Sequence, residues 1–392
     1  IQRKRVKPMD QTYHGRLPAE RAGPREAAAL YTAPLPLPPA RCYHAADMAT
    51  VDISKGTLLG RKLRHCPGRK PYVAPPGLLR AANTAMLLEW PLLLSGEPGC
   101  GKSDFAWAAA SALASLQRGA TPESIEGAVP LQFYVRSETR ARDLLYSYDA
   151  LRRFGDTQYG QKERAAEARH YVTLEALGEA LMRPQLSVVL IDEIDKAPRD
   201  LPNDLLRELE QGDFQIPEVP EDRVGAAVNR TMKRPRDTPL PLIVITSNNE
   251  RQLPDPFLRR CVFYHIPFPR EAQMKDIVRS HFQGEPPPDD ALWTFASRIF
   301  YALRDKLPLQ KRPSTVEFLG WLRALMADGS AGLRTRLDSI AQRITPDTAA
   351  AELTALPFFP STESSSAAPD DPLCLGCLLK LKDDLRLLGM PA

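Results

Sequence analysis

The apolar residues of this 392-residue chain change period along its length. From Pro76, "PGLLRAANTAMLLEW" places Leu78, Leu79, Ala82 and Met86 at helical spacing on one face. At residues 92–95, "LLLS", the spacing collapses into three consecutive leucines, which predicts a buried strand. "KSDFAWAAASALASL" then returns to a strong helix former. Further strands are predicted at "LQFYVR" (131–136), within "SVVLIDEIDKAP" (187–198), at "PLIVITSNN" (241–249) and within "LPDPFLRRCVFYHIPFP" (253–269). The run Val188–Ile191 is apolar without interruption, as a central parallel strand covered on both faces requires. "GEPPPDD" (284–290) reads as a break between helices and "STESSSAAPDDP" (361–372) as a polar linker.

The first strand and the helix after it are joined by "GEPGCGKS", Gly96–Ser103, which fits G-x-x-x-x-G-K-[ST]. In that pattern backbone N–H groups point inward around a phosphate chain, and Gly96, Gly99 and Gly101 supply the backbone freedom. Lys102 is placed to reach β- and γ-phosphates from an exposed position, and Ser103 offers a hydroxyl to Mg²⁺. Glu97, Pro98 and Cys100 complete the loop, where Cys100 is read as a small filler and not a nucleophile. The strand at Val188 ends in Asp192-Glu193, where parallel sheets place ligands. Asp192 is suited to bind Mg²⁺ directly or through water, and Glu193 to deprotonate the attacking water. The strand at 241–249 ends in Thr246-Ser247-Asn248, whose amide is suited to position that water.

Composition narrows the partners. Hydrophobic content of 43%, charged content of 26% and a net charge of +4 describe an ordinary globular protein, and dispersed Lys and Arg demand no nucleic acid. No apolar run reaches the ~20 residues of a membrane helix. Six scattered cysteines point to a reducing, cytoplasmic setting rather than a disulfide scaffold. Residues 1–70 are basic and proline-rich, and the aperiodic stretch 1–48 is expected to be disordered, with Met48 a candidate start.

In order and spacing, Gly96–Ser103, Val188–Glu193, Asn248 and Arg259-Arg260 resemble the Walker A, Walker B, sensor 1 and arginine-finger elements of AAA+ ATPases. "IDEIDKAPRDLPNDLLRELEQGDFQIP" and "YVTLEALGEALMRP" are similar to the MoxR branch. The resemblance spans about residues 70–330. It implies an α/β fold with a five-stranded parallel sheet flanked by helices, an ATPase core at 71–269 and a helical lid at 270–350. Residues 351–392 then hold a linker and the short amphipathic helix "LLKLKDDLRLLG", docked on its own lid. It further implies ATP and Mg²⁺ as ligands, a hexameric ring with ATP at subunit interfaces, and Arg260 reaching the neighbour's γ-phosphate, with Arg259 as the alternative. Where many members carry a lid arginine after a proline, this chain has Ser314, preceded by Lys311 and Arg312. MoxR relatives commonly serve von Willebrand factor A-domain partners, so a separate protein of that kind, or another client, is the expected partner. The stretch 135–161, with Tyr146 and Tyr148, falls where this clade inserts into its second helix, and reads either as a client grip or as a solvated helix.

The expected function is therefore ATP-driven remodelling of a partner protein. A nucleic-acid-stimulated motor and a nucleotide-gated switch or scaffold in a bacterial conflict system are the alternatives. Cys374-x-x-Cys377 has no second pair beside it and is not read as a metal site, and His170, His265 and His281 are read as structural.

Overall fold

The computed structural model describes residues 71–117, 129–159, 162–223, 225–235, 238–282, 286–328, 375–381 and 383–384. These lie within the second of two units of the chain, Thr50–Ala392. The readings on residues 1–70, on the linker at 361–372 and on Cys374 fall outside the described residues.

Helix α1 (Pro76–Leu88) leads into β1 (Leu92–Gly96), and α2 (Lys102–Gln117) follows the glycine loop. After β2 (Leu131–Tyr134) comes a compact insertion. It comprises α3 (Ala141–Leu145), β3 (Tyr146–Tyr148), α4 (Ala150–Gln158), α5 (Lys162–Ala166) and β4 (Val172–Leu174), with β3 and β4 antiparallel. Helix α6 (Ala176–Met182) then feeds β5 (Val188–Asp192). Two short helices, α7 (Leu201–Asp204) and α8 (Leu206–Gln211), precede a hairpin of β6 (Asp213–Gln215) and β7 (Thr231–Lys233). Strand β8 (Leu242–Ser247), α9 (Asp255–Leu258) and β9 (Val262–Ile266) complete the sheet.

The principal sheet has the order β2-β5-β8-β1-β9 with every pair parallel. This is the five-stranded architecture that the resemblance implied. Strands β1 and β8 are buried along their whole length, and β5 up to its last residue, which explains their unbroken apolar runs. Because side chains alternate, each central strand feeds two cores. Leu93, Val189, Ile191, Ile243 and Ile245 face one side, whereas Leu92, Leu94, Val188, Leu190 and Val244 face the other, with α1 and α2. In α1 the buried positions are Leu78, Leu79, Ala82, Asn83 and Ala85, with Met86 only partly covered.

A third core is formed by α10 (Glu271–His281), α11 (Asp290–Lys306) and α12 (Thr315–Asp328) around Phe295, Phe300, Phe318 and Trp321. Leu375, Leu378 and Leu379 are buried in the same cluster, and Asp384 accepts the Gln310 and Lys311 N–H groups, so the C-terminal segment docks on these helices. Among the described residues no helix is long and apolar enough to cross a membrane.

The insertion divides the two readings of residues 135–161. Tyr146 is buried, stacks on Phe214 and donates to Glu218, which removes it from the residues available to grip a client. Tyr148 is half-buried and its hydroxyl accepts from Arg153. Helix α4 is solvated and buries none of its residues.

Candidate active site

Strand β1 delivers the chain to the loop and α2 carries it away, so the loop's N–H groups gather at a helix N-terminus. Gly99 and Gly101 adopt φ of 75° and 88°, conformations that side chains other than glycine rarely take. Space is also short there, since a Cβ on Gly99 would lie 3.1 Å from Ser314. Lys102 is not the exposed residue expected from the sequence but is 7% exposed. Its Nζ donates to the carbonyls of Gly96 at 2.8 Å and Glu97 at 3.0 Å, which keeps the ammonium folded onto its own loop. Cys100 is half-buried, and burial pushes its thiol pKa up against the pull of Lys102. That favours the protonated thiol and argues against a nucleophile.

The carboxyl ends of β5 and β8 converge beside the loop. Ser103 Oγ donates to Asp192 at 2.9 Å (Oδ1) and 3.1 Å (Oδ2). A hydroxyl and a carboxylate, both hard oxygen donors, therefore meet at the mouth of the phosphate loop, a donor pair of the kind Mg²⁺ takes with phosphate and water. Thr246 Oγ1 donates to Asp192 Oδ1 at 2.5 Å and accepts the Glu193 N–H at 2.8 Å. Glu193 itself sits in the left-handed region at φ 61°, which turns its side chain out of the strand's alternation. Its Oε1 accepts from Asn248 Nδ2 at 3.4 Å and its Oε2 from Lys196 Nζ at 2.6 Å. Asn248 is set in place by Asp195, whose Oδ2 accepts the N–H groups of both Asn248 and Glu250. Asp195 is 2% exposed, so this tie between the exits of β5 and β8 is shielded from water.

A cleft of about 210 Å³ opens between the loop and the helices that follow the sheet. Tyr72, Val73, Ile266, Ile277 and Leu319 give it apolar walls, and Gly99–Gly101 lie at its floor. His281 also lines this cleft, with Nδ1 3.0 Å from the Ile277 carbonyl. Ser314, at the place expected for a lid arginine, instead caps α12, exchanging hydrogen bonds with Glu317. The lid arginine that reaches the loop is Arg304 of α11, which donates to Glu97 Oε2. From the sequence it was given no role, because it is one of two basic residues in the last turn of α11, where lysine and arginine are ordinary helix-end residues. Thr246 was visible only as a polar strand tip, without a role.

Arg260 lies at the other end of the sheet. Leu92 pairs with Val262 and Gly96 with Ile266, so β9 runs about 13 Å from its entrance to the loop, at ~3.3 Å per residue. Arg260 donates to Glu210 and to the Pro256 carbonyl. Arg259 is exposed and its side chain has no hydrogen bond or ion pair among the described residues. The structure thus keeps both arginines away from their own chain's Asp192 and Glu193.

Residues 91–261 match the AAA domain of the dynein-related subfamily. No curated protein matches the chain. Among solved structures, NtrX from Brucella abortus in complex with ADP is similar over 66% of this chain, at 14% identity and a TM-score of 0.38. The matched region spans about half of that protein, 51% of its chain. The domain match, together with the parallel sheet and its phosphate loop, supports an AAA+ P-loop ATPase domain in this chain.

Proposed function

We propose that this protein binds ATP with Mg²⁺ and hydrolyses it as a ring-forming, MoxR-type AAA+ ATPase that remodels a partner protein. The observation that carries the catalytic part is the meeting of Ser103, Asp192, Glu193, Thr246 and Asn248 at two adjacent strand ends beside the loop. Lys102 leaves its loop carbonyls and turns to the β- and γ-phosphates. Ser103 and Asp192 hold Mg²⁺, which when bound neutralises charge developing on the phosphoryl oxygens. Glu193 takes the proton of the attacking water, and the Asn248 amide holds that water in line. Thr246 keeps the Asp192 carboxylate and the Glu193 backbone in register.

A ring is supported by the place of Arg260. Remote from its own loop, Arg260 acts on nucleotide in this reading only at a neighbour's site, where it would exchange its Glu210 partner for phosphate. Beside it Leu88 and Trp90 are 45% and 44% exposed, an apolar rim suited to cover by another copy. The MoxR assignment rests on the Walker B segment with its following helices and hairpin. A client site is supported by α4, where Leu151 and Phe154 point to solvent at 85% and 65% exposure. The partner is a separate client protein, with a von Willebrand factor A-domain protein the first candidate.

The test is ATP turnover of the purified chain with and without Glu193→Gln, alongside native mass spectrometry. Nucleotide-dependent assembly with turnover lost in the variant supports the proposal. Binding without any turnover would favour a switch, and salt-sensitive stimulation by nucleic acid a motor.

A further inference from the structure

We infer that Arg304 is a positioning residue that couples the lid helices to the phosphate loop through Glu97. The inference rests on the nucleotide-binding reading of that loop. Arg304 is 3% exposed, and its guanidinium is fixed from three directions. One nitrogen donates to Glu97 Oε2 in the loop. Another donates to the Pro313 carbonyl at 2.8 Å, just before α12 begins. The plane lies 3.4 Å over the Phe268 ring, on the segment that joins β9 to α10. Loop, connecting segment and lid therefore meet on one side chain.

The charge arrangement makes the link directional. A buried guanidinium needs a counter-charge, and among the described residues Glu97 is the carboxylate that pairs with Arg304. Glu97 is also where Lys102 rests, because its carbonyl accepts the Lys102 ammonium at 3.0 Å. One loop residue is thus held through its main chain by the lysine that must turn to phosphate, and through its side chain by the lid. When Lys102 turns, Glu97 is released on one side and remains tied on the other, so its displacement is passed to α11 and, through Pro313, to α12. The Ser314–Gly99 approach gives the lid a second seat on the same loop.

Hydrogen exchange of the full chain, with and without ADP and Mg²⁺, tests this. In the wild type, nucleotide should slow exchange in 290–306 and 315–328. In Glu97→Gln, which removes a 42% exposed carboxylate and leaves the Arg304 charge without its partner, ADP should still bind by calorimetry. The lid response should then be lost, and kcat should fall with KM little changed. Arg304→Met should show the same loss, and the double variant no further loss. Should Arg304→Met fail to fold, Glu97→Gln still decides. ADP binding with a wild-type lid response in Glu97→Gln, or with no lid response in the wild type, overturns the coupling alone. Absence of ADP binding to the wild type overturns the nucleotide reading and the coupling with it.

Discussion

Thr246 and Asp192 face each other across adjacent parallel strands, the threonine hydroxyl donating to the carboxylate at 2.5 Å. The same hydroxyl accepts the Glu193 N–H, so one side chain sets both the orientation of the carboxylate proposed to bind Mg²⁺ and the turn that presents the proposed base. Thr246→Val keeps the volume and removes both bonds. It should lower kcat by ~10–100-fold, as loss of partners that orient metal ligands does, while Thr246→Ser should recover most of it. Steady-state ATP hydrolysis on the two variants checks this.

Lys102→Ala should weaken ATP binding by roughly 10–100-fold, since a charge-assisted bond is worth ~1.5–3 kcal/mol. Stability should fall modestly as well, because the buried Nζ donates to two loop carbonyls that alanine leaves without this partner. Titration calorimetry with an unchanged affinity would exclude the phosphate-loop reading.

Glu193→Gln should bind ATP normally and stall, with turnover lower by ~10²–10⁴, the usual weight of general acid–base catalysis. The amide also gives up the ion pair with Lys196, so nucleotide affinity in this variant isolates the base from the pair. Near-wild-type turnover would transfer the role to another carboxylate.

Arg260→Ala should leave ATP binding intact and remove hydrolysis by roughly 10³–10⁵, the range for an arginine acting on transition-state charge. Mixing this variant with Lys102→Ala subunits should restore partial activity, because an intact pocket then meets an intact finger. Mixed rings, verified by native mass spectrometry, no more active than either parent would count against Arg260. The same mixing with Arg259→Ala decides between the adjacent arginines.

Gly178→Ala probes the packing behind the site. A Cβ there would fall 1.9 Å from the Leu145 carbonyl, an immovable backbone atom between α6 and α3. Overpacking of this kind should cost ~1–3 kcal/mol and lower the melting temperature, with nucleotide affinity retained. An unchanged melting temperature would mean that α3 is free to shift.

Much of the site was legible in the sequence because it is local. A strand, a glycine turn and a helix start are consecutive, and the requirement for positive φ at Gly99 and Gly101 is written in the residue type. The central strands were equally plain, since burial on both faces removes polar residues from a continuous run. The sequence by itself therefore determined the loop, the strands and the carboxylates at their ends. Only the tertiary structure decided which distant groups meet there. It placed Thr246 between Asp192 and Glu193, drew Tyr146 into the core, folded Lys102 onto its own loop and paired Glu97 with Arg304 across 207 residues of chain. Pairings of that kind depend on how sheet and lid pack. An arginine two residues along the same helix would have looked the same in sequence and faced another side.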